Sequence, residues 1–172
     1  MERDIKRPNL RILYSPAGSF SVYFSKTLSS FVFDYTLHAA LLLALVPILH
    51  ISFGSRPGLF LLLMAPVELA AASFGTFFCC LMHTEEAAST LLSTLVSLMC
   101  VVGGSFFPLD GMGGALAFVT RLSPAKWVNE AFFLLSCDNS ARLFVPVAAG
   151  ALATAALLML GCRVTFRTED YL

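Results

Sequence analysis

Four apolar runs, each about as long as a helix that crosses a bilayer, constrain this chain more than anything else in it. Crossing roughly 30 Å of hydrocarbon takes about 20 helical residues. The runs extend over Leu28–Ile51, Gly58–Met82, Ala87–Phe107 and Leu143–Gly161. Ser52–Pro57 and His83–Glu86 make short turns between the first three, and Pro108–Arg142 separates the third from the fourth. Only 13% of the 172 residues are charged and 58% are hydrophobic, against about 25% charged in soluble domains. A water-soluble globule of this composition would lack the polar surface to cover itself. The spacing predicts an all-α membrane protein with four transmembrane helices.

Basic residues orient those helices, because cytoplasmic loops collect Lys and Arg. Arg3, Lys6, Arg7, Arg11 and Lys26 precede the first run, and Arg163 and Arg167 follow the last. The opposite side holds Arg56, Arg121, Lys126 and Arg142. Seven against four places both termini in the cytoplasm and the long third connection outside. The N-terminus, MERDIKRPNLRILY, has no apolar core followed by a small-residue cleavage site, so no signal peptide is read. The formal charge is zero; no basic field for nucleic acid exists.

The third connection is apolar yet broken. Glycines at 103, 104, 111, 113 and 114, with Pro108 and Pro124, interrupt GGSFFPLDGMGGALAFVTRLSPAKWVNEAFF. Irregular backbone persists at membrane depth only where protein or a water-filled cavity satisfies its polar groups. Residues 108–136 therefore read as an element that descends and returns without spanning. Within it, Ser123-Pro124 predicts an N-cap and first turn for a short helix, Pro124–Ser136. Trp127, Ala131 and Leu134 share one face of that helix and Val128, Phe132 and Leu135 the other; Lys126 and Glu130 are i, i+4 neighbours. Trp127 suits headgroup depth.

Residues 1–27 form a separate segment ahead of the transmembrane domain, 28–172. Pro8 and Pro16 bracket a stretch in which Leu10, Leu13 and Tyr14 share a helical face, an amphipathic pattern for an interfacial or docking helix. Ser15-Pro16 then starts a helix running through Phe20, Val22 and Phe24 into the first span. Thr84 caps the third span, with Glu85 and Glu86 in its positively polarised first turn. That span bears Ser89, Thr90, Ser93, Thr94 and Ser97, and the fourth is rich in Ala and Gly; both patterns permit close helix approach in lipid. The five cysteines lack metal-ligand spacing and are read as small buried hydrophobes.

Ionisable groups inside a bilayer are costly and raise a functional hypothesis by default. Three stand out: Asp34 and His38, one helical turn apart in the first run, and Glu68 beside Pro66 in the second. A polar contact fixing helix packing is one use; substrate or proton movement is the other. No catalytic constellation accompanies them. HTEE at 83–86 is not HExxH, GGSF at 103–106 is not a GxSxG elbow, and no GxxxxGK[ST] phosphate loop occurs. No enzyme activity, metal site or cofactor is expected.

The order of these features resembles the C-terminal portion of ABC-2-type transporter permeases, the membrane subunits of ABC exporters. Glu2, Arg3, Leu13, Ser15, Pro16 and Lys26 match the family's charged cytoplasmic segment, serine-proline turn and pre-span lysine. GGSFFPLDGM matches its G-x-x-x-P region and SPAKW its re-entrant pair before a last span. The resemblance implies a coupling helix over Asn9, Leu10, Arg11, Leu13 and Tyr14 that docks a separate ABC ATPase subunit. It implies an external gate carrying Pro108, Pro124, Trp127 and Glu130, and a path between two permease halves in the plasma membrane. Such permeases usually have six spans, so a second permease copy or a missing N-terminal permease part is also expected, with this chain a fragment or split product. Two rival readings follow from the residues alone: a membrane-structural scaffold, and an ion-coupled carrier using Glu68.

Overall fold

A computed structural model describes residues 19–50, 56–82, 85–105, 118, 120–121 and 123–165. The described elements are helices in the order α1 (Ser19–Leu49), α2 (Pro57–Leu81), α3 (Glu85–Val102), α4 (Pro124–Cys137) and α5 (Phe144–Thr165). Three of them contain stretches long and apolar enough to cross a membrane: Tyr23–Ile48, Pro57–Leu81 and Phe144–Arg163. α3 is an apolar helix of 18 residues, or about 27 Å at 1.5 Å per residue.

The expected third span reached Phe107, but the helix stops at Val102, and the stop is built from glycine. Gly104 takes a left-handed φ of 78°, which a residue without Cβ adopts at no steric cost. Its N–H then meets the Val101 carbonyl at 3.3 Å, and the Ser105 N–H meets that of Cys100 at 3.0 Å. This pairing satisfies carbonyls that a helix end would leave orphaned. α1 ends comparably, with Pro47 inside its last turn and His50 at φ 52°. α2 opens with Pro57 in its first turn, and the Leu59 N–H reaches the Arg56 carbonyl at 3.0 Å.

The helix expected to run from Pro16 into the first span is continuous from Ser19. At 31 residues it measures about 46 Å, more than the hydrocarbon needs. The amphipathic stretch 9–14, the cap at Thr84 and the first part of the descending element, Pro108 included, lie outside the described residues.

α2 is the central helix. It packs against α5 along its length and against α1, α3 and α4. α2 and α5 run parallel, from a cluster of buried Leu63 and Val147 at one end to Phe77 and Gly161 at the other. A Cβ on Gly161 would lie 2.9 Å from the Phe77 ring. Elsewhere the pattern is inside-out. Among large apolar side chains, Phe33 and Ile48 are 68% exposed and Val145 70%. A surface so continuously apolar is stable in lipid and not in water. The same arrangement modifies the reading of the cysteines: Cys162 is buried and Cys80 and Cys100 half-buried, but Cys79 and Cys137 are exposed.

Candidate functional site

Two polar constructions interrupt this apolar surface. The first is the seam between α1 and α2. Near the α1 N-terminus the buried Thr27 hydroxyl lies 3.0 Å from that of Thr76, and each also bonds its own helix, to the carbonyls of Tyr23 and Ala72. Three turns along, His38 Nδ1 and Glu68 Oε1 are 3.1 Å apart. The sequence marked these two residues separately; the antiparallel register brings them together. Glu68 sits about 20 Å along the axis from Leu81 and His38 about 18 Å from Lys26, so the pair occupies mid-span. Asp34, one turn before His38, is close enough to Glu68 for their charges to interact. Among the described residues it closes no ion pair, and no group of three or more His, Cys, Asp or Glu is placed to hold a metal.

Tyr35 adds a contact that sequence reasoning missed. Its hydroxyl donates to the Leu61 carbonyl at 3.2 Å. Pro66 lacks an N–H for the adjacent Leu62 carbonyl and crowds it. The Tyr35 hydroxyl bonds the carbonyl one residue earlier, at Leu61, and so ties α1 to α2 without replacing the bond that Pro66 removes. No local pattern signals it, because the bond depends on the register of α1 against α2.

The second construction is the seat of α4. This helix lies across the ends of α2, α3 and α5, where α2 and α5 begin and α3 stops. Its core-facing residues are Ala131 and Leu135, both buried against Leu63 and Val147, flanked by Val128, Phe132, Leu59, Leu143, Phe144 and Ala148. Phe132 packs against Phe60 with tilted rings, centroids 4.5 Å apart. The packed face is thus the Val128–Phe132–Leu135 side with Ala131 added; Trp127 points away and is 46% exposed. Leu63 lies about 9 Å into α2, so α4 reaches below the helix ends.

Ser123 stands at the N-cap position, as expected, and Pro124 opens the helix, but the serine makes no side-chain cap. Its hydroxyl instead reaches the Met99 carbonyl of α3 at 3.3 Å. Asn129 Nδ2 donates to Ser105 Oγ at 2.7 Å, and Trp127 Nε1 donates to the Arg121 carbonyl at 2.8 Å. The backbones meet at Gly103, where a Cβ would come within 2.7 Å of Ala125 Cβ and 3.1 Å of Lys126 N. Lys126 and Glu130 are both half-buried and form no ion pair among the described residues.

The hydroxyl stripe of α3 behaves differently from these contacts. Ser93 and Thr94 donate back to the Thr90 carbonyl at 3.0 and 2.8 Å, and Ser89, Thr90, Ser93, Thr94 and Ser97 remain exposed. Nothing within the described chain packs on that stripe closely enough to bury it.

A chain whose described elements are all helices, three of them apolar and of membrane length, with a polar seam at mid-span, is a polytopic membrane protein. The ABC-2 type transporter family matches residues 3–135, and the chain belongs to that family. No curated protein and no solved structure matches it. Membership makes it a transporter permease in a membrane, of a family that is typically the non-catalytic membrane component and that in general works with an ABC ATPase.

Proposed function

We propose that the chain is the permease subunit of an ATP-driven exporter, forming part of the substrate path and docking a separate ATPase subunit. The observation that carries this reading is the family match over residues 3–135, which takes in both the charged N-terminal segment and the broken third connection. In this reading α3 is the third of four spans, both termini are cytoplasmic, and the membrane is the plasma membrane. Residues 108–136, with Pro108, Pro124, Trp127 and Glu130, form an extracellular re-entrant gate. Support for the gate comes from α4, which is wedged between three helix ends and reaches about two turns below the start of α2.

Coupling is mechanical. The ATPase closes on Asn9, Leu10, Arg11, Leu13 and Tyr14, and the displacement passes into α1, whose described part begins at Ser19 and carries Lys26 near the membrane surface. α1 is attached to the rest of the chain chiefly through α2, so a push on its N-terminal end moves it against the bundle as a lever. A second permease copy, or a chain supplying the family's first spans, completes the path.

Deletion of residues 9–14 tests the assignment. Loss of copurification with the ATPase, with the chain still monodisperse and helical by circular dichroism, is the expected result. Undiminished binding of the deletion variant would remove the coupling role from this segment.

A further inference from the structure

Where α1 begins and α5 ends, two cations stand on one cleft. The Arg163 guanidinium carbon lies 5.9 Å from the centre of the Phe20 ring, so the end of α5 reaches α1 there. Lys26 is about 9 Å further along α1 and close enough to Cys80 for its charge to act there. The thiols of Cys80 and Cys162 are hydrogen-bonded across α2 and α5, so Lys26 and Arg163 border the same three-helix junction. Both are exposed, and neither closes an ion pair among the described residues. The acidic residues that open α3, Glu85 and Glu86, belong to a helix packed against α2 and α4, and Asp34 lies about 12 Å deeper along α1 than Lys26.

The cleft between α1 and α5 is incompletely filled. A cavity of about 10 Å³ lies there, with Phe20, Phe24, Met159 and Cys162 in its wall, which is room for about one water. Outside it Phe20, Phe24 and Leu28 follow one another a turn apart on α1, 43%, 46% and 44% exposed, and the first two rings stack at 6.4 Å. The surface therefore has positive charge at its rim and an apolar track running from the rim into the hydrocarbon. Arg163 is charged whatever its surroundings. A guanidinium seated on an aromatic face keeps its fork of N–H donors for a second partner, and phosphate fits that fork. A soluble anion has no use for the apolar track. A phospholipid uses both parts, and basic pockets between transmembrane helices on the cytoplasmic side hold anionic headgroups.

We infer that the α1–α5 cleft is a site for one anionic phospholipid, with its phosphate on Arg163 and Lys26 and an acyl chain along Phe20, Phe24 and Leu28. Its consequence rests on the transport reading above. α1 joins the bundle chiefly through α2, and a headgroup shared by Lys26 and Arg163 adds a second tie at the end that receives the coupling displacement. Lipid charge then tunes coupling.

The test reads lipid choice at one place, using the full chain in nanodiscs with Trp127→Phe to remove the native fluorophore. Phe24→Trp puts a single tryptophan on the apolar track, and Leu43→Trp, at a position 64% exposed and about 28 Å away along α1, is the control. Each chain is quenched by brominated phosphatidylglycerol in phosphatidylcholine and by the converse mixture, which gives the ratio of the two local binding constants. A basic residue at a membrane surface is worth about fivefold for an anionic headgroup. With screening by salt, position 24 is expected to favour phosphatidylglycerol about tenfold. Arg163→Gln should lower this to about twofold and the further change Lys26→Gln should bring it to parity, with helicity by circular dichroism unchanged. Position 43 should read near parity throughout.

Should Phe24→Trp fail to fold, Leu28→Trp reports the same track. Parity at position 24 or 28 overturns the site, as does a preference that survives loss of both cations. An equal preference at position 43 also overturns it, because the attraction is then general to the chain. Millimolar inorganic phosphate at constant ionic strength should leave the ratio unchanged, and its collapse would overturn lipid as the occupant in favour of a soluble anion. Nanodiscs carry phosphatidylglycerol in both leaflets and quenching needs no ATPase, so these outcomes are separable from failure of the transport reading, which the copurification test decides.

Discussion

Gly103 is where the α4 seat is tightest, and Gly103→Ala is the substitution that probes it most sharply. The added methyl would sit 2.7 Å from Ala125 Cβ, 2.8 Å from the Met99 carbonyl oxygen and 3.1 Å from Lys126 N. Carbon atoms prefer about 3.5–4.0 Å, so α4 must withdraw from α3 by about 1 Å. The Ser123 hydroxyl is already 3.3 Å from the Met99 carbonyl and cannot follow, and the 2.7 Å Asn129–Ser105 contact must stretch. Overpacking of this kind costs about 1–3 kcal/mol. At about 2–4 °C per kcal/mol for a chain of this length, thermal unfolding followed by circular dichroism in detergent should fall by about 2–12 °C. Gly150→Ala is the control, since nothing lies within 4 Å of its would-be Cβ; there alanine's helix preference leaves stability unchanged or raised by up to about 1 kcal/mol. Ala125→Gly placed on Gly103→Ala removes the closest contact and should restore part of the loss. A Gly103→Ala chain that melts with the wild type would refute the close seating of α4 on α3.

Three further outcomes follow from contacts at the two polar constructions. Removing one member of the His38–Glu68 pair leaves the other unpaired at mid-span, so His38→Ala and Glu68→Ala should each destabilise more than additivity allows in the double variant, with a coupling of about 0.5–2 kcal/mol in a thermal double-mutant cycle. Thr27→Val should cost about 0.6 kcal/mol, the usual worth of an interhelical hydrogen bond in a membrane, read in the same assay; a loss above about 2 kcal/mol would mean the contact carries more than one bond. Trp127 is the single tryptophan and is half exposed beside the α4 core. Its fluorescence should be quenched by lipids brominated near the headgroup and little by lipids brominated at the chain ends, and the reverse order would place α4 at the wrong depth.

Much of the architecture was legible because lipid imposes few solutions on a chain. Long apolar runs must be helices, and the start at Pro124 follows from proline's fixed φ and absent N–H; the same rule accounts for Pro57, which the turn reading leaves outside the second span. The end of α3 was misplaced because Phe106 and Phe107 continue the apolar pattern, whereas Gly104 decides the stop through a left-handed conformation that hydropathy does not encode. The candidate seam was half legible. Asp34, His38 and Glu68 were conspicuous as ionisable groups in apolar runs, but their pairing depends on the register of α1 against α2, set by contacts such as Thr27–Thr76 and Tyr35–Leu61 that no local pattern reveals. Ser123 illustrates the same limit: a serine before proline reads as a cap, yet an α3 carbonyl within reach takes its hydroxyl.

In the function proposed above, the chain is the membrane half of an ATP-driven machine whose ATPase is a separate polypeptide. Affinity purification of the wild-type chain from its own membranes into nanodiscs, followed by native mass measurement and an ATP hydrolysis assay, tests it directly. A bound P-loop ATPase subunit and ATP hydrolysis abolished by orthovanadate are the results expected of the proposed function. A monodisperse, helical chain that carries no ATPase and shows no vanadate-sensitive hydrolysis would contradict it.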